Sequence, residues 1–258
     1  MNAEAKYQSN CESFFITYSN GIKTNRDSWA YNFSNRRLTE NMKNTIEFYN
    51  SKINEFKNLK QKNPSFKFAD FKKDNSEPAK IKWSSSLENY FKKFEKVNFK
   101  AENIYKSYYR PFMISNLYFE TKFIEARYQN HKLFHEPDTK NLMICVSSSS
   151  KNFSTLITDK VTDLGFVGTT QCFPFYYYTS ETDFSKGYMD TNKSAIKREA
   201  ISDYILNLAR KYYGDKVQKI DIFYYVYGFL HSPDFRKRGR ILEIFKSRKK
   251  TCRFAFEL

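Results

Sequence analysis

Residues 169–178, TTQCFPFYYY, place five aromatic rings (Phe173, Phe175, Tyr176, Tyr177 and Tyr178) in six positions around Pro174. Three readings compete for such a run: a buried strand, a platform for stacked bases, and the relic of a catalytic loop. Alternation along a strand sends Phe173, Phe175 and Tyr177 to one face and Tyr176 and Tyr178 to the other. Large rings are more often core than surface. The run therefore reads as a core strand, with base stacking left open for one exposed ring.

Around this run, between Ile104 and Tyr178, short apolar runs recur: SYYRPFMISNLYF, NLMICVS and STLITDKV, punctuated by Pro, Ser and Gly. That texture predicts a mainly antiparallel sheet. Upstream, Leu38, Met42, Ile46, Tyr49, Ile53, Phe56 and Leu59 fall at steps of three and four, which predicts a long amphipathic helix ending before Pro64. Residues 62–82 are charged and aperiodic and read as a connector. A short helix follows, with Ser85 and Glu88 spaced as a capping box and Leu87, Phe91 and Phe94 as its apolar stripe. Downstream, helical spacing from Ile196 through Ala200, Ile201, Tyr204, Ile205, Leu208 and Tyr212 ends at Gly214. A last apolar helix starts near Asp221 and stops before Pro233.

The polar composition narrows the partners. The 258 residues carry 44 Lys and Arg against 28 Asp and Glu, a formal charge of +16 that favours a polyanion. Strong positive charge combined with many rings is the usual footprint of nucleic-acid binding. Cys11, Cys145, Cys172 and Cys252 are too scattered for a disulfide framework or a zinc knuckle, which suits a reducing cytoplasm. No leader-like start and no apolar run of about eighteen residues argues for secretion or a membrane span.

The search for reactive chemistry comes back thin. Adenine amino-methyltransferases hold the extruded base with a polar residue, two prolines and a ring. FPFY at 173–176 has Phe173 at the polar position and Phe175 at the second proline, so nothing holds the amine. The seven glycines form neither a dinucleotide fingerprint nor a phosphate loop. His131, His135 and Glu136 could supply half of a zinc site, but Pro137 breaks any helix there and the glutamate is not between the histidines. Ordinary hydrogen-bonded histidines are the simpler reading. EPDTK at 136–140 has the residue types of a nuclease site, at a length that chance supplies in a lysine-rich chain.

Four spaced stretches carry a resemblance: YSNGIKTNRDSWAYNFS (18–34), YYRPFMISNLYFE (108–120), STLITDKVTDLGFVGTTQCFPFYYY (154–178) and DIFYYVYGFLHSPDFRKR (221–238). In that order they resemble the C-terminal specificity region of type ISP restriction-modification enzymes. The resemblance implies a target recognition domain that reads double-stranded DNA beside an adenine-N6 methyltransferase domain or subunit. S-adenosylmethionine, ATP and magnesium would then belong to other domains of the full enzyme, with no cofactor, metal or catalytic residue in this chain. After HSPDFRKR the family continues through a further helix to a Pro-rich end, whereas GRILEIFKSRKKTCRFAFEL (239–258) ends this chain; a frameshift or truncation would produce that, with a poorly ordered tail.

The expected fold is α+β: an N-terminal helical element, a mainly antiparallel mixed sheet and a C-terminal helical pair. The expected parts are residues 1–100, helical with a linker; 101–238, the sheet-centred recognition core; and 239–258, a basic tail. Chemistry and loop placement single out Asn25 and Arg26 in the TNRD turn, Arg110 before Pro111, Arg127, and Lys151 in SSSSKN as DNA contacts. Each could equally be a solvated charge or a structural hydrogen bond. A self-contained DNA methyltransferase or nuclease, and a non-functional remnant, are the alternatives.

Overall fold

A computed structural model describes residues 13–77, 80–147, 153–179, 195–233 and 235. In chain order the elements are β1 (Ser19–Asn20), α1 (Asp27–Ala30), β2 (Tyr31–Asn32), α2 (Asn35–Lys62), α3 (Phe68–Asp74), α4 (Ser85–Lys92), β3 (Ile104–Arg110), β4 (Met113–Tyr118), α5 (Asn130–Leu133), β5 (Met143–Ser147), β6 (Thr155–Thr158), β7 (Val161–Thr162), β8 (Thr170–Pro174), β9 (Tyr176–Thr179), β10 (Ile196–Glu199), α6 (Asp203–Tyr213) and α7 (Lys219–His231). The class is α+β, as the sequence predicts. Residues 239–258 and Lys151 lie outside the described residues.

The chain divides into two compact units, Ile22–Arg127 and Met1–Gly21 with Tyr128–Leu258. This grouping differs from a division at residue 100. Strands β3 and β4 go with the long helix because β4 pairs with β2, two residues before α2 begins, and because Tyr118 at the end of β4 joins the helix core.

In the unit Ile22–Arg127, Ser34 caps α2 by accepting a hydrogen bond from the Arg37 amide at 3.3 Å. The predicted stripe from Leu38 to Phe56 is buried. Its lower half packs rings on rings: the Phe56 centroid lies 5.0 Å from Phe71, 5.6 Å from Phe91 and 5.8 Å from Phe68, and Trp83 meets Phe91 edge-on at 4.9 Å. The segment 62–82 is thus more than a connector. Phe68 and Phe71, one helical turn apart on α3, and Ile81 beyond it deliver apolar side chains from an otherwise charged stretch. At α4 the cap position falls to Ser84 and not Ser85, and Glu88 pairs with Lys72 at 2.6 Å instead of closing a capping box. Phe94 leaves the expected stripe: the chain turns there with φ 57°, and the ring stays partly exposed.

In the other unit the sheet order is β1-β8-β5-β6, with antiparallel pairing throughout. Every residue of β5 and β8 is buried, which is why β5 reads as a continuous apolar run, while β8 also buries the polar Thr170 and Gln171. The ring-rich stretch breaks at Phe175: Phe173 stays in β8, and Tyr176–Thr179 pair with β10 instead. Phe173, Phe175, Tyr177 and Tyr178 are buried, with Phe175 against Phe223 of α7 at 5.3 Å. Tyr176 is half-buried under the Lys197 ammonium at 3.5 Å. Ile196–Glu199 form this partner strand and not the start of a helix, and α6 begins only after Ser202, which accepts from the Ile205 amide at 3.3 Å. α6 ends at Gly214, whose φ is 94°, as expected. Gln218 and Asp221 form a capping box that starts α7 two residues before Asp221. Buried Cys145 and Cys172 face each other across β5 and β8, both free thiols with sulfurs 3.7 Å apart.

One close approach ties β1 into this sheet. The Gly21 amide donates to the Thr170 carbonyl at 2.9 Å, and a Cβ at Gly21 would lie 2.5 Å from the Asp163 carbonyl oxygen and 2.8 Å from Leu164 Cα. Those atoms are backbone and cannot swing aside. Gly21→Ala is therefore expected to destabilise the chain by about 1–3 kcal/mol, read as a lower midpoint in urea unfolding.

Candidate nucleic-acid interface

The β2-β4-β3 meander in the unit Ile22–Arg127 builds the exposed feature that stands out most. β3 and β4 pair up to Arg110↔Met113, leaving only Pro111 and Phe112 to reverse the chain. Proline fixes φ at the first turn position, and Phe112 takes φ 61° at the second, the pattern of a type II turn, where glycine is the favoured residue. The left-handed conformation costs a phenylalanine on the order of 1 kcal/mol. The ring gains nothing in return from burial, since it is 88% exposed. Met113 and Ile114, next along β4, are also exposed.

The stem beneath this tip is braced. Tyr109 is the extra residue of a bulge between Tyr108↔Ile114 and Arg110↔Met113. Its hydroxyl donates to Asp27 Oδ2 at 3.0 Å, and its ring lies 4.7 Å from Tyr31. The Arg110 guanidinium stacks 4.0 Å from the Tyr109 centroid and donates to the Tyr109 carbonyl at 2.6 Å.

Beside the hairpin, Asn116 of β4 donates its amide hydrogens to the carbonyls of Asn32 at 3.0 Å and Phe33 at 2.8 Å, while Asn32 Oδ1 accepts from the Ser34 amide at 2.9 Å. This clasp sets the junction from β2 into α2. It leaves Phe33 71% exposed and puts Arg36 and Arg37 in the first turn of α2, where no acidic residue stands. Two cations at a helix N-terminus oppose the macrodipole, an arrangement that an anion between them would relieve. Among the described residues Arg36 pairs with the exposed Glu40, at 3.0 Å.

The residues singled out from sequence fall as follows. Asn25 sits in its turn with φ 57°, a conformation asparagine tolerates, and is half-buried. Asp27, two residues on, ties that turn to Tyr109 and so to Arg110. Lys23 and Ala126 exchange backbone hydrogen bonds at 3.0 and 2.9 Å, bringing Arg127 beside the same 23–27 segment, with its guanidinium 5.6 Å from the Phe119 ring. The turn that holds Asn25 is thus linked through Asp27 to the residue before Arg110 and through Lys23 to the residue before Arg127. Arg26 points inward: it is 2% exposed, with Nη2 on Ser84 Oγ. Burial lowers its pKa to about 10, against the charge of Glu125, which acts to raise it. At Glu125, burial pushes the carboxyl up, but hydrogen bonds from Ser84 and Ser86 and the Arg26 charge outweigh it and hold the group below its ordinary value. Phe33, Arg36, Arg37 and Phe112 escaped the sequence reading. The signal for Phe112 was the two-residue Pro-Phe reversal between strands.

His131 alone lies on α5, while His135 lies beyond its end, with Nδ1 3.1 Å from Thr139 Oγ1 and its ring 4.1 Å from Tyr178. Among the described residues no cluster of three His, Cys, Asp or Glu is placed to hold a metal, and no helix is long and apolar enough to cross a membrane.

An α+β chain that presents a braced, ring-tipped hairpin among arginines has the build of a recognition module. The profile of the Type ISP C-terminal specificity domain matches residues 13–239, and the chain belongs to that family. No curated protein matches significantly. Among solved structures it is similar to the ATP-dependent Type ISP restriction-modification enzyme LlaBIII bound to DNA, at 31% identity and TM-score 0.69 over 89% of this chain and 14% of that one. It is also similar to DrdV in a DNA complex, at 29% identity and TM-score 0.71 over 87% of this chain and 20% of that one. A nuclease-deletion mutant of the Type ISP enzyme LlaGI with a DNA substrate mimic matches at 27% identity and TM-score 0.65, over 87% and 16%. The chain therefore spans under a quarter of each of these solved chains.

Two outcomes follow from the Arg26–Glu125 pair. Arg26→Ala is expected to lower stability by about 3 kcal/mol in urea unfolding, because it strips a buried partner from Ser84 and Glu125. The depressed carboxyl of Glu125 adds stability that is fully present above its unfolded pKa of about 4.3 and lost as pH falls through its lower folded value. Glu125→Gln should accordingly flatten the loss of stability below about pH 5, measured by thermal melts across pH 3–7.

Proposed function

We propose that this chain is the DNA target recognition module of a type ISP restriction-modification system, acting beside a methyltransferase domain or subunit. On this reading the chain performs no chemistry of its own. S-adenosylmethionine, ATP and magnesium serve other parts of the assembly. The support that weighs most is the likeness of almost the whole chain to segments of DNA-bound type ISP enzymes. The net charge of +16 and the arginine-flanked hairpin fit the same partner.

In this proposal Asn25, Arg110 and Arg127 face the duplex, and Arg36 and Arg37 hold phosphate at the start of α2. Arg26 supports the 23–27 turn from inside, and Lys151 adds a further cation. A two-stranded ribbon is narrow enough for the major groove, about 12 Å wide, where Asn and Arg read base edges.

Fluorescence anisotropy with a random-sequence 30-base-pair duplex tests the reading. Affinity should fall linearly on a log–log plot as salt rises from 50 to 200 mM, with Arg110→Ala reducing the slope by about one if Arg110 holds one phosphate. No binding at 50 mM salt contradicts an independent reader. Methyl transfer from labelled S-adenosylmethionine by the purified chain contradicts the absence of chemistry.

A further inference from the structure

We infer that Phe112 is a wedge: when the hairpin meets duplex DNA, its ring enters the base stack and opens one step. The inference rests on the DNA-reading proposal above and adds to it a deformation of the DNA.

Fold stability does not account for a ring at this position. Phe112 is 88% exposed and sits at φ 61°, so neither burial nor backbone preference favours phenylalanine there. What the position does provide is presentation. The ring stands at the apex of a two-residue reversal whose first residue is Pro111, on a stem held by the Tyr109–Asp27 hydrogen bond and the Tyr31–Tyr109 contact. A wedge must arrive rigid, because a side chain on a loose loop folds back before it parts a stack.

The neighbours select the occupant. Pro111, Phe112, Met113 and Ile114 are consecutive, all four are exposed, and all are residue types that DNA-deforming proteins insert between base pairs. Cations flank them: Arg110 stacked on Tyr109, and Arg36 and Arg37 at the start of α2. Phe33 precedes that helix, and Asn32 just before it pairs with Asn116, so Phe33 lies about three residues, roughly 10 Å, down the strand direction from the tip. An apolar point with a guanidinium at its base complements a base stack bordered by phosphates. The net charge of +16 favours a polyanion as that partner.

Insertion unwinds DNA without requiring a known target site, so the test uses relaxed plasmid. The 258-residue chain is mixed with plasmid at 50 mM salt, topoisomerase I is added, and the topoisomers are resolved after deproteinisation. Wild type is expected to shift the distribution by at least one linking number at saturating protein. Compared at protein concentrations adjusted to give equal occupancy of the anisotropy duplex, Phe112→Gly is expected to shift it less than a third as far, and Phe112→Trp to retain the shift. Because glycine accepts φ 61° freely, Phe112→Gly should melt no lower than wild type, so a lost shift cannot be put down to unfolding. Equal shifts by wild type and Phe112→Gly, or no shift by either while both bind, overturn the wedge and leave the DNA-reading proposal standing. Failure of wild type to bind at 50 mM salt overturns both.

Discussion

A buried carboxamide, that of Asn116, holds the architecture on which the exposed tip depends. Its two N–H groups satisfy the carbonyls of Asn32 and Phe33, both at the point where β2 ends and before α2 has begun. Both bonds are partly buried and tie the junction to β4, and each such hydrogen bond contributes about 1 kcal/mol net. By satisfying those carbonyls, Asn116 lets a strand turn into a helix within two residues. It thereby fixes the helix start to the same strand that carries the hairpin. Ser34, Arg36 and Arg37 on one side and Met113 and Phe112 on the other are positioned from this one clasp.

From that constraint the rest of the unit follows in order. The long helix lays its apolar stripe on rings gathered from α3, α4 and the end of β4, so the aromatic wealth of the chain is mostly packing material. The exceptions carry the functional argument. Phe112 and Phe33 are exposed where a buried alternative was open to neither, and Arg36 and Arg37 stand where the helix dipole disfavours cations. Each of these placements is mildly unfavourable for the free protein. On the proposed DNA-reading role, an anionic, stacked partner would turn all of them favourable.

The sequence reading was strongest where one physical signal ruled a long segment. The stripe of α2, the stop at Gly214 and the buried strand β5 were legible because period, glycine and a continuous apolar run needed no tertiary help. It failed where short segments serve distant neighbours. Phe68 and Phe71 sit in a charged stretch whose periodicity is too brief to register, and only the rings of Phe56 and Phe91 explain them. Ile196, Ala200 and Ile201 fit helical spacing, yet Ile196–Glu199 are claimed by pairing with β9. For the same reason the sequence names candidate contacts without placing them. Charge and turn chemistry pointed to Asn25 and Arg110, but nothing in the TNRD turn tells that Arg26 is folded inward onto Ser84. Phe112 went unnoticed because, in a chain with 26 phenylalanines, a ring reads as core until its exposure is known.

The chain's membership in the specificity-domain family gives this surface its context. The central claim is that the β3–β4 tip and the start of α2 form the DNA-facing surface. Photocrosslinking of the chain to duplexes carrying 5-iodouracil, followed by peptide mass spectrometry, tests it directly. The account predicts crosslinks concentrated in residues 108–114 and 33–37. Crosslinks confined to residues 196–231, with the hairpin unlabelled, would contradict it.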